Sequence, residues 1–316
     1  MSDIRDAIRN QTAASAFRTM NGKSSKEAAL EQMRNLTDSQ LDIMAAKCGI
    51  PEEHKLIYRS MMRGEDNVLI QKMKSFVDTL KTGDLILMCG SSARSKALRN
   101  SQKSVYRGAR SSHVAVVHAD FICIDAIPNV GVTNRLISEV LHDASDDWRV
   151  IRLKDISDEK TERMLKVCAY YLNQPYKIFP KRKPAKKYSY CSELARKVYL
   201  DCDMKGTGIP SHALIKPCDF DRVADKSNCW DDVTASVTPF IEFCIEYEAM
   251  MRVTSKAFID GLKLNRSRFD DRVKTIRTIR AAEKNGKISS ENASNLIKEV
   301  HESERKMKFN FWDVSD

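Results

Sequence analysis

Long apolar runs are absent from this chain. No stretch approaches the ~20 consecutive apolar residues that a membrane-spanning helix needs. The opening Met1-Ser2-Asp3-Ile4-Arg5-Asp6 lacks the basic-then-apolar layout of a secretory signal. The protein is therefore expected to be cytoplasmic as synthesised, leaving only through a signal-independent secretion system. No Cys-x-x-Cys occurs among the nine cysteines, whose number is odd and whose spacing is irregular. That argues against a disulfide framework and a zinc site, so reduced thiols and neither cofactor nor metal are expected. There is no zinc finger, no aromatic ribonucleoprotein motif, no recognition helix and no internal repeat, so no specific nucleic acid is expected as partner.

What is present is a 316-residue chain, 42% hydrophobic and 30% charged, with a formal charge of +10. That length holds one large domain, or a core with one or two appendages. The basic balance suits contact with an anionic surface: nucleic acid, anionic lipid or an acidic cell-wall polymer.

Three regions follow in order. Residues 1–82 read as helical, with Ala29, Leu30, Met33 and Leu36 on one apolar stripe. Leu41, Met44, Ala45 and Ala46 form a second stripe, and Leu69 to Leu80 a third. Gly49 is a candidate C-cap and Pro51 a restart. Residues 83–234 change character. Leu85 to Gly90 reads as a buried strand, and Ser91 to Arg110 as a basic loop or short helix. Ser112–His118 and Phe121–Ala126 read as a hairpin around Ala119-Asp120. Arg149–Leu153 reads as a further strand and Glu162–Leu172 as a helix. Lys181 to Lys187 reads as an exposed basic loop. Pro217-Cys218-Asp219-Phe220 can open a short helix. Residues 235–316 return to charged helices, and Ser289 or Ser290 is a candidate N-cap for the last. The basic Arg266–Arg280 segment reads as a solvated helix face, or as a lipid or nucleic-acid contact.

The candidate chemistry lies at Tyr190-Cys191-Ser192-Glu193-Leu194. Leu194, Ala195, Val198 and Tyr199 recur at helical spacing, which sets Cys191 at a helix start. Unpaired N–H groups and the positive end of the helix dipole favour an anion there, so the thiol ionises more easily. Taken alone, such a cysteine is as readily a small buried side chain. Cys48, Cys89, Cys123, Cys168, Cys202 and Cys244 lie in apolar periodic stretches and are expected to be buried. A catalytic cysteine needs a base, and the base an orienting group. His113 opens an apolar strand. His118 closes the same strand at odd parity, so the two rings face opposite sides. Asp125 sits among Ile122, Cys123, Ile124 and Ala126, where a carboxylate wants a partner. A tight turn brings it back towards His113, unless it is a strand-end aspartate facing solvent.

The elements Gly83-Asp84-Leu85-Ile86, Ser112-His113-Val114-Ala115-Val116, Ile124-Asp125-Ala126 and Tyr190-Cys191-Ser192-Glu193-Leu194 occur in that order. Together they resemble the circularly permuted, YiiX-like branch of the NlpC/P60 papain-like superfamily, over residues 83–222. The resemblance implies an α+β, papain-like core with a small antiparallel sheet and packed helices, flanked by helical extensions. It implies a thioester mechanism with Cys191 as nucleophile, His113 as base and Asp125 as orienting group; relatives often carry glutamate at that third position. Tyr190 is then a candidate oxyanion or substrate contact. The leading expectation is a cysteine amidase or peptidase cleaving a peptidoglycan-type or related amide. Without a signal peptide, that fits an effector delivered into another cell. The alternatives are an acyltransferase, thioesterase or phospholipase-like enzyme on lipid-linked acyl groups, and a non-catalytic helical scaffold. An apolar trench beside Cys191 favours the lipid substrate, and a narrow polar cleft the peptide.

Overall fold

The computed structural model describes residues 31, 33–179 and 187–305. The chain clusters into two units, one within Lys26–Ser255 and one that includes everything from Lys256 onward. Ala29 and Leu30 of the first expected stripe lie outside the described residues, as does most of the expected basic loop at 181–187.

The first unit begins with short helices: α1 (Asp38–Lys47), a 3-10 turn (Glu52–His54), α2 (Lys55–Arg63) and α3 (Val68–Ser75). Thr37 caps α1 in a reciprocal capping box with Gln40, which satisfies two otherwise orphaned N–H groups. Arg59 ties α2 to α1 through Asp38 and Asp42. The third expected stripe is helical only to Ser75. Phe76 turns extended and packs against Phe240 and Phe243. Its aromatic side chain is better buried against a neighbouring element than continued along α3.

The sheet is antiparallel with six strands in the order β4-β3-β2-β1-β5-β6. Its members are β1 (Leu85–Gly90), β2 (His113–Ala119), β3 (Ile122–Ile127), β4 (Gly131–Leu136), β5 (Ala144–Leu153) and β6 (Trp230–Asp232). The β2–β3 hairpin turns at Asp120, whose φ of 50° is the left-handed region that Asp tolerates. β4 and β6 go beyond the sequence reading. β4 alternates buried Val132, Asn134 and Leu136 with half-buried Thr133 and Arg135, a period of two masked by its polar composition. Gly131 opens it at φ +95°, where an added Cβ would lie 2.3 Å from the Gln174 carbonyl oxygen. That approach lets Val132 N–H donate to Gln174.

Around the sheet pack α4 (Ala93–Gln102), α5 (Ile137–His142), α6 (Asp158–Tyr171), α7 (Cys191–Asp201), α8 (Pro217–Lys226) and α9 (Thr234–Glu246). α7 packs on β2, β3 and α6 and is buried along nearly its whole length. The mixed helix-and-sheet core with one antiparallel sheet is the expected α+β class. α9 starts at Thr234, at the expected boundary near 235, and carries Pro239 inside it. α10 (Glu248–Lys284) continues into the second unit, where α11 (Ser290–Arg305) follows. Ser289 Oγ accepts from Asn292 N–H at the start of α11. In the basic stretch of α10, Arg266 pairs with Asp270 and Lys274 with Asp271. Among the described residues no helix is long and apolar enough to cross a membrane.

One cysteine expectation is corrected. Cys48 is exposed, because it is the C-cap of α1, where the chain leaves the helix and its stripe no longer faces the core. Cys89, Cys123, Cys168, Cys202 and Cys244 are buried and unpaired.

Candidate active site

Cys191 is the first residue of α7, preceded by Tyr190 in extended conformation. The chain reaches this point along a short bridge between Tyr176 and Ser189. Buried Lys197, two turns into α7, donates to the Tyr188 carbonyl and to Ser189 Oγ. It also pairs with Glu193 at 3.7 Å. Burial drives the Lys197 ammonium down to about 8, against the opposing pull of Glu193. Through its bonds to Tyr188 and Ser189, Lys197 ties the incoming segment to the helix that carries the thiol.

His113 is positioned from the other side. Asp221 of α8, fully buried, accepts from Arg110 N–H and Ser111 N–H at 2.9 Å each and from Ser111 Oγ at 2.8 Å. Ser112 N–H donates to the Met88 carbonyl, and its hydroxyl accepts from Gly90 N–H. The two residues before His113 are therefore clamped to both α8 and β1.

Continuing the Val116↔Ile124 register sets Asp125 across from Ala115. His113 is then its diagonal neighbour on the same face. His113 Nε2 lies 3.0 Å from Asp125 Oδ2. Asp125 is fully buried and His113 is 21% exposed. With Nε2 so engaged, Nδ1 is the nitrogen left for the thiol. The thiol and the ring are close enough to hydrogen-bond, and each perturbs the other's proton affinity. Burial alone lifts the Cys191 thiol, but the His113 charge and hydrogen bonds from His113, Ser192 and the Val114 N–H outweigh it and bring the pKa below the ordinary value. Burial alone lowers the His113 ring, but the Cys191 charge and the bonds to Asp125 and Cys191 outweigh it and raise the pKa well above the ordinary value. Both shifts run in the direction of moving the thiol proton onto the ring. Other buried thiols move the opposite way: burial raises Cys123 and Cys168, and Cys202 to about 12.

His118 turns to a different set of partners. Its Nε2 meets the Leu165 carbonyl at 3.0 Å and its Nδ1 meets Asn134 at 2.8 Å. Tyr190 lines the cleft at Cys191, yet its hydroxyl is buried without a hydrogen-bond partner and approaches the Ile215 backbone.

Arg135 escaped the sequence reading. From β4 it reaches the same oxygen of Asp125 at 3.3 Å and also holds Asp143 at 2.6 Å and the Glu139 carbonyl. It is 16% exposed and lines the cleft. The signal lay in the alternation of residues 131–136, which puts Arg135 and Asp125 on one face.

The cleft holding Cys191 and His113 encloses about 630 Å³. Leu98, Ile127, Pro128, Ile178, Leu214 and Ile215 supply a mainly apolar wall. Arg94, Arg135 and Lys216 are its cations, and Asp143 its exposed acid. Among the described residues no group of three or more His, Cys, Asp or Glu is arranged to hold a metal ion.

The model of the permuted papain-like amidase family of the YaeF/YiiX type, the C92 family, matches residues 79–260. A crystal structure titled metalloprotein yiiX from Escherichia coli O157:H7 matches with 22% identity over 42% of this chain and 71% of that chain, at a TM-score of 0.35. No curated protein matches.

Proposed function

The chain belongs to the permuted papain-like amidase family, and from that premise we propose that it is a cysteine-dependent amidase. Cys191 is the nucleophile, His113 the acid–base and Asp125 the group that orients the ring. The observation that carries this reading is the placement of the Cys191 thiol at the start of α7 beside the His113 ring, whose Nε2 lies 3.0 Å from buried Asp125; the opposed pKa shifts of thiol and ring support it.

The sequence of steps follows from that geometry. The Cys191 thiolate attacks the amide carbonyl carbon and forms a C–S bond. The first-turn N–H groups of α7, which have no intrahelical acceptor, face the developing oxyanion. The His113 imidazolium gives its proton to the leaving amine as the C–N bond breaks. A thioester on Cys191 remains. Neutral His113 then takes a proton from water, the hydroxide oxygen attacks the thioester, and the thiolate leaves with the acid as product. Asp125 keeps the ring in place throughout and stabilises its charged form.

The lining selects among substrates. A mainly apolar wall favours an amide with an apolar acyl part over a polar cell-wall peptide. The same lining supports a second reading, in which the acyl group comes from a lipid or passes to an acceptor other than water. The test is incubation with N-acyl amides of short and long chain and with peptidoglycan fragments, followed by mass spectrometry of the intact protein. Release of amine with an acyl adduct on the Cys191 peptide is expected, and neither with Cys191→Ala. Amine release that survives in Cys191→Ala overturns the assignment.

A further inference from the structure

The cleft opens amid an unusual distribution of charge. Residues 91–112 run along it, with α4 supplying Arg94 and Leu98 to its lining. This stretch carries six cations and no acid. Arg110 is held by Asp225. Exposed Arg94, Lys96, Lys103 and Arg107 have no ion-pair or hydrogen-bond partner among the described residues. The stretch after α6 repeats the pattern: Lys177 and Lys187 are exposed and unpaired in the same way. Large apolar side chains are exposed in the same two stretches: Leu98 at 47%, Ile178 at 59% and Phe179, whose ring also meets Tyr188, at 53% exposure. Leu98 and Ile178 continue inward as the apolar wall of the cleft.

Exposed apolar side chains scattered singly are ordinary, but contiguous with a functional cleft they mark a contact surface. Unpaired cations in the same stretches select an anionic partner. We propose that the rim of the Cys191 cleft docks on an anionic phospholipid bilayer, with Leu98, Ile178 and Phe179 entering the headgroup boundary and the surrounding cations facing acidic headgroups. Nucleic acid would answer the charge alone and leave the apolar residues in water. A bilayer answers both, and it delivers apolar acyl chains to the mouth of an apolar cleft. The proposal rests on the amidase reading for its substrate side only; the docking itself needs no turnover.

The experiment uses the full chain carrying Cys191→Ala, so that binding is read without chemistry. It is spun with sucrose-loaded vesicles of phosphatidylcholine alone and with about one-third phosphatidylserine. Binding is expected to the mixed vesicles only, weakening steeply as salt rises, because the headgroup attraction is screened. Lys96→Gln, Lys103→Gln and Arg107→Gln lie off the cleft lining. Each should lower vesicle affinity about fivefold, and the three together on the order of 100-fold. Phe179→Asp should weaken binding even at low salt. Thermal melting checks that each variant is folded. Equal binding to neutral and acidic vesicles, or a folded triple variant that binds like the parent, overturns the proposal. So does a chain that binds single-stranded RNA under the same salt and ignores vesicles. Turnover of a soluble short-chain amide by the unsubstituted protein is measured alongside. Its failure sinks the amidase reading and leaves docking standing, and the reverse result does the opposite.

Discussion

If Cys191 rests as a thiolate because His113 rests as a cation, removing the ring must move the thiol. In His113→Ala the opposing charge and the side-chain hydrogen bond vanish, while burial, the largest single influence on this thiol, remains and pushes its pKa up. A thiol at the ordinary value of 9.0 is only about 1% ionised at pH 7, on the order of 100-fold less than a fully ionised one. A more basic thiolate is a better nucleophile, which restores about threefold per pH unit gained. The net expectation is a several-fold fall in the rate of alkylation at pH 7, larger the further burial pushes the thiol above that value. The assay is iodoacetamide labelling followed by peptide mass spectrometry, from mildly acidic to alkaline pH. Cys191 should be the fastest site in the native protein, with its inflection below that of free cysteine in the same buffers. Exposed Cys48 and Cys229 are the internal comparators, and they should be indifferent to the substitution. A folded His113→Ala protein in which Cys191 labels at the native rate refutes the ion-pair reasoning. So does a native inflection at or above that of free cysteine.

Arg135→Gln removes a positive charge from the carboxylate that His113 also uses, so the imidazolium should be favoured further. The alkaline limb of the pH–rate profile should move up, with Arg135→Lys restoring its position; an unmoved limb means Arg135 does not act through Asp125. Lys197→Met should cost about 3 kcal/mol by thermal or denaturant unfolding, since one partner of a buried pair is lost. Because Lys197 sits at about 8 and an unfolded lysine near 10.4, the unfolded chain binds more protons between those values. The native protein should therefore gain on Lys197→Met as pH rises across that window, and a gap that is constant with pH contradicts the depressed value. Gly131→Ala places a Cβ 2.3 Å from a carbonyl oxygen at positive φ. It should cost about 2 kcal/mol and lower Tm by about 4–8 °C; an unchanged Tm means that β4 relaxes away from Gln174.

The parts of this molecule legible in the sequence are those with strong local periodicity. β1 is a continuous apolar run, β2 and β3 are β-branched and joined by two residues, and α7 carries its apolar face at helical spacing. Parity within β2 was enough to separate His113 from His118, whose ring is engaged elsewhere. What was hidden depended on tertiary partners. β4 reads as Gly-Val-Thr-Asn-Arg-Leu, polar enough to pass for a loop, and only its pairing with β3 gives it meaning. Arg135 was lost with it. β6 is three residues long and exists because β5 offers it an edge. Asp221 sits in α8, about 110 residues from the serine it clamps, and no local pattern announces such a bond. Cys48 was misjudged because an apolar stripe predicts burial within a helix but not at its cap.

A common device underlies these long-range features. Three segments converge on the thiol, and each is tied down by a buried charged residue whose partners lie on another segment. Asp221 holds the approach to His113. Lys197 holds the approach to Cys191. Asp125 on β3 is shared between His113 on β2 and Arg135 on β4. Buried charges are costly to desolvate, and apolar side chains of similar volume often stabilise a fold as well or better. Their use here therefore calls for a reason other than stability. Apolar contacts tolerate small slides of one segment past another, whereas a charged hydrogen bond has a narrow range of length and direction. The proton transfer proposed between Cys191 and His113, at the junction of α7 and β2, needs the two approaches to keep their spacing. The apolar cleft next to it cannot supply that restraint. The charged residues that hold each approach can.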